Sequence, residues 1–209
     1  MFLVRFIFAF VTLVALFNNA KSCVDDDLEV YAQGVPAKDV DVIVKEHNRY
    51  RQAIMDGKVP GQPRGAGLKY LRWDEKLAET AQEVADRCIF EHFTVVDERW
   101  RNKVGQNLYQ KEKFLFSEQN YNWTRAIERW FLEHKKYRYG RIGLDYTRTG
   151  HYTQMIWAIT ELIGCGFASY DTDEDSDYEI VELYVCHYGP SGNRFHRYPY
   201  QLAERKHQQ

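Results

Sequence analysis

The sequence predicts an α+β fold, and three features of its order carry that prediction. Apolar residues recur at helical spacing from Asp39 to about Gly57, again after Asp74, and again from about Trp123 to Tyr137. Two segments rich in β-branched and aromatic residues, IGCGFASY and IVELYVCHY, come only after these and flank the polar stretch DTDEDSD. No internal repeat or shift of composition marks a second unit. Helical stripes first and an antiparallel hairpin late are the order of an α+β chain. The 209 residues include 44% hydrophobic and 15% aromatic side chains, enough for a sizeable core and too many for disorder. With 28 basic against 30 acidic residues, the charge is too balanced for a polybasic nucleic-acid binder.

Taken in order, Arg5 precedes an apolar run from Phe6 to Phe17, followed by NNAKS. That run is short of the roughly 20 residues a bilayer span needs. A basic start, an apolar core and small residues behind it predict a secretory signal peptide over 1–22, cut after Ala20 or Ser22. No second long apolar stretch follows, so a soluble secreted product with no membrane span is expected. The first helix places Val40, Ile43, Val44, His47, Arg51 and Ile54 on one face, with His47 as a hydrogen-bonded core residue. KVPGQPRGAG then reads as an irregular loop. Asp74 is a candidate N-cap for a second helix with the stripe Leu77, Ala81, Val84 and Cys88. The third helix has Trp123, Ile127, Trp130, Phe131 and His134 on its apolar side. A short helix follows Gly150, then the hairpin, then a tail from Ser191 that reads as a surface strap.

Four cysteines, Cys23, Cys88, Cys165 and Cys186, allow three pairings. A hairpin centred between Asp175 and Ser176 sets Cys165 directly opposite Cys186, at bridging distance on one face, which leaves Cys23 for Cys88. A zinc site is the weaker reading, because no CxxC pair occurs.

Local spacing offers little chemistry. Glu-His occurs three times, but HExxH, HxH and the Gly-x-Ser-x-Gly elbow are absent. Asp171, Asp173, Asp175, Asp177, Glu179 and Glu182 match the ligand spacing of a calcium loop. Ser176, however, stands where its sharp turn needs glycine, and the flanks read as strands. A solvated hairpin tip accounts better for them. Lys135, Lys136, Arg138 and Arg141, interleaved with Tyr137 and Tyr139, form a basic cluster at a helix C-terminus, where cations are favoured anyway. Asn122-Trp123-Thr124 is a glycosylation sequon at a residue that also suits a helix cap.

GHYTQMIW at 150–157 resembles the signature of the CAP superfamily of cysteine-rich secretory, antigen-five and pathogenesis-related proteins. KEHNRYR (45–51), LRWDEKLAETAQEVADRC (71–88), CIFEH (88–92), VGQNL (104–108), WFLEH (130–134), GCGF (164–167) and YVCHYGPSGN (184–193) match in the expected order. Together they cover roughly 40–195 of a single domain over 23–209. The branch it resembles is the arthropod venom and salivary antigen-five, or venom allergen, group, whose disulfide pairing agrees with the hairpin register. The resemblance implies a three-layer α-β-α sandwich with a small antiparallel sheet, stapled by disulfides. It also implies a central cleft of two histidines and two acidic residues, which binds a divalent metal in some members. The matching positions are His92, Gln106, Glu133 and His151. A glutamine at 106 departs from the usual glutamate, and a neutral amide can neither act as general base nor balance a cation.

The leading expectation is therefore a secreted, extracellular, non-enzymatic venom or salivary effector that binds a host or prey molecule and requires no cofactor. Zinc held weakly by His92 and His151 is the one metal expected. The rivals are a metal-assisted hydrolase using the His/Glu cleft and a lipid- or sterol-binding carrier with a groove along the aromatic third helix. Partners are expected to be a protein or a small lipid, with no nucleic acid.

Overall fold

A computed structural model describes residues 23, 28–100, 104–114, 121–171 and 180–204. The expected signal segment and the acidic residues Asp173, Asp175, Asp177 and Glu179 lie outside them. The centre is an antiparallel hairpin of β5 (Leu162–Asp171) and β6 (Ile180–Gly189), in which Cys165 pairs directly with Cys186. On the outer side of β6 lies β4 (Gly105–Lys113), antiparallel. On the outer side of β5 lie β1 (Val30–Gln33), antiparallel, and the two-residue β3 (Arg72–Trp73), parallel.

Alternation of side chains across the sheet creates two cores. Ile163, Cys165, Phe167, Tyr184, Cys186 and Tyr188 pack with residues of α1 (Ala37–Asp56), α3 (Trp123–Phe131) and α4 (Gly150–Met155). Ala168, Tyr170, Val181, Leu183 and Val185 pack against α2 (Glu75–Ala85). The result is the three-layer α-β-α sandwich. A side chain at Gly164 would bring its Cβ within 2.1 Å of the Ala78 nitrogen, and one at Gly166 within 2.4 Å of the Gln82 Cα. The two glycines therefore let α2 lie directly on β5. At that distance the Gln82 amide donates to the Phe167 carbonyl (2.9 Å) and accepts from the Phe167 N–H (3.0 Å).

The helices form where the periodicity put them. Asp74 caps α2 by accepting from the Leu77 N–H at 2.9 Å, and α1 ends at the left-handed Gly57. Three expectations need correction. The third helix does not run to Tyr137; α3 stops at Phe131 and tightens into a 3-10 turn, Leu132–Lys135. Within the KVPGQPRGAG loop, β2 (Gly65–Ala66) pairs with β7 (Gln201–Leu202), so this loop holds a short regular piece. The tail is more than a surface strap, since Tyr200 is 2% exposed and belongs to the larger core.

Both bridges join the pairs that the hairpin register favours: Cys23–Cys88 with Cα atoms 5.4 Å apart, and Cys165–Cys186 at 4.1 Å. The calcium-loop spacing ends on Glu182, which is buried in β6 and accepts from Lys113 Nζ at 2.5 Å and from the Tyr184 hydroxyl at 2.9 Å. It is committed to a strand, as the hairpin reading requires.

Two polar side chains of α1 are wholly buried. Arg51 donates to the carbonyls of Lys69 (2.6 Å), Met155 (2.7 Å), Trp157 (3.0 Å), Ala158 (3.3 Å) and Thr160 (3.0 Å). Burial lowers its pKa to about 9, still charged at neutral pH. His47 donates from Nδ1 to the Ile43 carbonyl (2.8 Å) and accepts at Nε2 from the Tyr188 hydroxyl (2.9 Å).

Arg51→Lys is expected to destabilise the fold by at least about 3 kcal/mol, because a compact ammonium with three donors cannot serve carbonyls arranged for a planar fork. Urea unfolding at pH 7 checks this. Burial also pushes His47 down to about 4, so it stays neutral in the fold while the unfolded chain takes up a proton near pH 6.5. Its neutral form costs nothing above that pH and progressively more as pH falls toward about 4. Between pH 7 and 4.5 the wild type should therefore lose about 2–3 kcal/mol more than His47→Gln, measured as the difference of urea midpoints.

Candidate functional site

The four cleft positions arrive from four separate elements. His92 stands in the coil just past the Cys88 bridge, Gln106 on β4, Glu133 on the 3-10 turn after α3, and His151 in the first turn of α4. The two imidazoles face one another with ring centroids 6.5 Å apart. Together with Gln106, Tyr146, Gln154 and Asn193 they line a cleft of about 480 Å³.

Each histidine is held by its Nδ1. His92 Nδ1 donates to Gln106 Oε1 at 2.8 Å, and His151 Nδ1 donates to Glu133 Oε1 at 2.7 Å. The orientation of the Gln106 amide is set by the Phe93 backbone, whose N–H donates to Oε1 (3.3 Å) and whose carbonyl accepts from Nε2 (3.4 Å). The oxygen therefore faces His92, and His92 must carry its proton on Nδ1. Both rings keep Nε2 as an unprotonated lone pair in the neutral state, the arrangement by which a second partner fixes the tautomer of a metal-ligating histidine. The second oxygen of Glu133 accepts from the Tyr152 N–H at 3.1 Å, so both carboxylate oxygens are engaged.

Behind Gln106 lies His187, a residue to which sequence reasoning assigned no role. Gln106 Nε2 donates to His187 Nε2 at 2.8 Å, and His187 Nδ1 meets the Thr80 hydroxyl at 2.8 Å. Because the amide can only donate there, His187 carries its proton on Nδ1 and gives it to Thr80, whose own hydroxyl donates to the Leu77 carbonyl (3.0 Å). Burial pushes His187 down to about 3, and the ring is neutral. The signal for this residue was available in the pairing of VGQNL with YVCHY, which sets Gln106 opposite His187. Asn107 was also overlooked. It donates to the His151 carbonyl (3.1 Å) and to the Tyr188 hydroxyl (3.2 Å), tying α4 to the buried His47.

Of the aromatic residues considered for a lipid groove, Trp123, Trp130 and Phe131 are all buried in the larger core. Trp130 donates its indole N–H to the Leu108 carbonyl (2.8 Å), and its ring lies 6.3 Å from that of His151. Asn122 is exposed and caps α3, its side-chain oxygen accepting from the Arg125 N–H at 2.8 Å. The cap uses the oxygen and leaves the amide nitrogen, the atom a glycan would occupy. Among the described residues no group of three or more His, Cys, Asp or Glu could hold a metal, and no helix is long and apolar enough to cross a membrane.

Comparison with known proteins places this geometry. The profile described as CAP, cysteine-rich secretory protein family, matches residues 44–188. A salivary antigen-5 of Triatoma infestans is 33% identical over 184 residues, covering 81% of this chain and 74% of that protein. A venom allergen 5 of Tityus serrulatus is 34% identical over 170 residues and 77% of this chain. The chain spans only 39% of that protein, and 41% of a CRISP/Allergen/PR-1 protein of Trittame loki. Among solved structures, BmVAL-1 superposes with a TM-score of 0.66 at 28% identity, covering 81% of this chain and 85% of that one.

The tautomer of His187 follows from the amide at 106, which gives a test. In Gln106→Glu the carboxylate can only accept, so His187 should move its proton to Nε2 and Thr80 should turn its hydroxyl to donate to Nδ1. Long-range proton–nitrogen correlation spectra read this as an exchange of the two ring nitrogen shifts. An unchanged Nδ1–H tautomer would show that residue 106 does not govern the ring.

Proposed function

The chain belongs to the CAP family of cysteine-rich secretory proteins, and from that membership we propose a secreted protein of the antigen-five kind that acts by binding a host or prey molecule rather than by turnover. The observation that supports this most is the state of Glu133, the one carboxylate among the four matched positions. Both oxygens of Glu133 are taken, by His151 Nδ1 and by the Tyr152 N–H. The position opposite, Gln106, has no proton to accept or release in the working range. Hydrolysis in such a cleft needs a group that accepts a proton from water; Gln106 cannot be that group, and Glu133 is already committed to holding His151 and the start of α4.

The same geometry favours a weak metal site. Two imidazole Nε2 lone pairs share one cleft, each backed by an acceptor on Nδ1. Zinc sites of high affinity take four protein ligands, and catalytic ones three. Two ligands give a loosely held ion, which when bound would polarise a carbonyl or lower the pKa of water. The two disulfides fit an oxidising, extracellular destination, and a single domain over 23–209 is the unit we propose is exported. Within this reading the bound molecule is a protein or a small lipid, and no cofactor is needed.

One experiment tests both halves. Zinc titrated into wild type by calorimetry should bind with a Kd of about 10 μM or weaker, and His151→Ala should abolish it. A panel of peptides and esters with zinc present should show no turnover above background. Turnover that disappears in Glu133→Ala would overturn the binding reading. Tight zinc binding that survives His151→Ala would place the metal elsewhere.

A further inference from the structure

The sequence holds one sequon, Asn122-Trp123-Thr124, and the fold treats its three residues differently. Trp123 is 2% exposed and meets the Tyr184 ring edge-on at 5.0 Å, so the middle residue is anchored in the larger core. Asn122 and Thr124, on either side of it, are exposed. At Asn122 every polar group but one is in use. Its backbone N–H donates to the Tyr184 hydroxyl (3.1 Å), and its backbone carbonyl accepts from the Ala126 N–H (3.1 Å). Its Oδ1 accepts from the Arg125 N–H (2.8 Å), which caps α3. Only Nδ2 makes no hydrogen bond among the described residues. The other described asparagines commit that atom. Asn48 Nδ2 donates to the Leu71 carbonyl (2.9 Å) and Asn193 Nδ2 to the Gly150 carbonyl (2.8 Å). Asn107 Nδ2 donates to the His151 carbonyl (3.1 Å) and the Tyr188 hydroxyl (3.2 Å). None of those three begins a sequon. The asparagine that does is the one whose amide nitrogen the fold leaves idle.

We propose that Asn122 carries an N-linked oligosaccharide, a modification that rests on the proposed secretion. The donor is an oligosaccharide joined through its first sugar to a lipid diphosphate. Asn122 Nδ2 forms a bond to the anomeric carbon of that sugar, and the bond from this carbon to the diphosphate oxygen breaks. The lipid diphosphate leaves with the electron pair, and Nδ2 gives up one of its two protons. Transfer acts on the extended chain, so the fold's part is to accept the product. Here it accepts it without loss, because the side-chain oxygen makes no new bond and still accepts from the Arg125 N–H. Cap and glycan therefore share one amide, the first through oxygen and the second through nitrogen. A bulky hydrated substituent also needs open surface, which the exposed Asn122 supplies. The sugar is anchored away from the cleft as well. The nine residues of α3, about 13 Å along the axis, stand between Asn122 and the turn that carries Glu133.

The test expresses the full chain in insect cells and recovers it from both cells and medium. Electrophoretic mobility is compared before and after treatment with peptide-N-glycosidase. The wild type should run as a slower band that the enzyme returns to the unmodified mobility, leaving an aspartate in the peptide that held the sugar. Thr124→Ser keeps the acceptor motif and should keep the shift, whereas Thr124→Ala should lose it. Two further variants separate the oxygen from the nitrogen. Asn122→Asp and Asn122→Ala should both lose the shift, but Asn122→Asp keeps a capping oxygen and should unfold at the higher urea concentration. A shift in either fraction that Thr124→Ala removes supports the site. Protein in the medium without a shift would overturn the glycan and leave secretion standing. Protein confined to the cells and unshifted would overturn both. A shift that survives Thr124→Ala would put the sugar elsewhere, and equal urea midpoints for Asn122→Asp and Asn122→Ala would overturn the division of the amide between cap and glycan.

Discussion

The guanidinium of Arg51 is the contact on which the larger core turns. Its charge is buried without a carboxylate, and its stabilisation comes from five carbonyl oxygens held at fixed positions. Those oxygens belong to two stretches far apart in sequence, Lys69 and the run from Met155 to Thr160. An unpaired buried charge is costly, so the backbone cannot leave its place without exposing that cost. The run after α4 therefore has one conformation compatible with a charged Arg51. Since α4 presents His151, the position of the cleft traces back to a residue in the middle of α1. The neighbouring Asn48 adds a second clamp, exchanging two hydrogen bonds with the Leu71 backbone at 2.9 and 2.7 Å.

The cleft itself has two unlike halves. On the His92 side a chain of neutral groups runs from Thr80 through His187 and Gln106, and each proton position is dictated by the next group. On the His151 side an ionisable carboxylate faces the ring directly. Replacing glutamate with glutamine at 106 thus changes more than charge. It sets a donor against His187 and fixes the tautomer of a ring that lies directly behind the cleft wall. An enzyme with paired carboxylates would place competing acids on both imidazoles; here only one imidazole has such a partner.

Much of this architecture was legible in the residues. The α2 cap needed only Asp74 before an apolar stripe, and the disulfide at the sheet centre needed only a symmetric hairpin register. The four cleft positions came from family motifs, since nothing in their spacing brings His92 near His151. What stayed hidden depended on long-range pairing. β4 does not look like a strand in isolation, because QNLYQKEK lacks β-branched residues, and it forms because β6 offers it an edge. His187 drew no attention until that pairing set it against Gln106. Arg51 could be placed on the buried face of α1, but a helix stripe does not say which carbonyls will meet it. The third helix was read too long because its apolar spacing continues through His134, while the last turn tightens and separates Glu133 from His134 in space.

The Gln82 amide bonded to Phe167 has a bearing on how the protein keeps to itself. The outer edge of β5 is paired by β3 at Leu162 and Ile163 and by β1 from Ala168 to Tyr170. Between them runs a stretch that neither strand reaches. An open row of backbone donors and acceptors is a template for another chain to add a strand. There the Phe167 N–H and carbonyl are already spoken for by a side chain that mimics a peptide group, and Gly34 donates to the same carbonyl at 2.9 Å. The closure depends on Gly164 and Gly166, because only a bare backbone lets α2 come near enough for a glutamine to reach. A bulkier residue at either position would thus open a gap in the sheet's flank as well as displace a helix. The molecule would then be exposed to association through its edge, a failure by aggregation rather than by loss of the cleft.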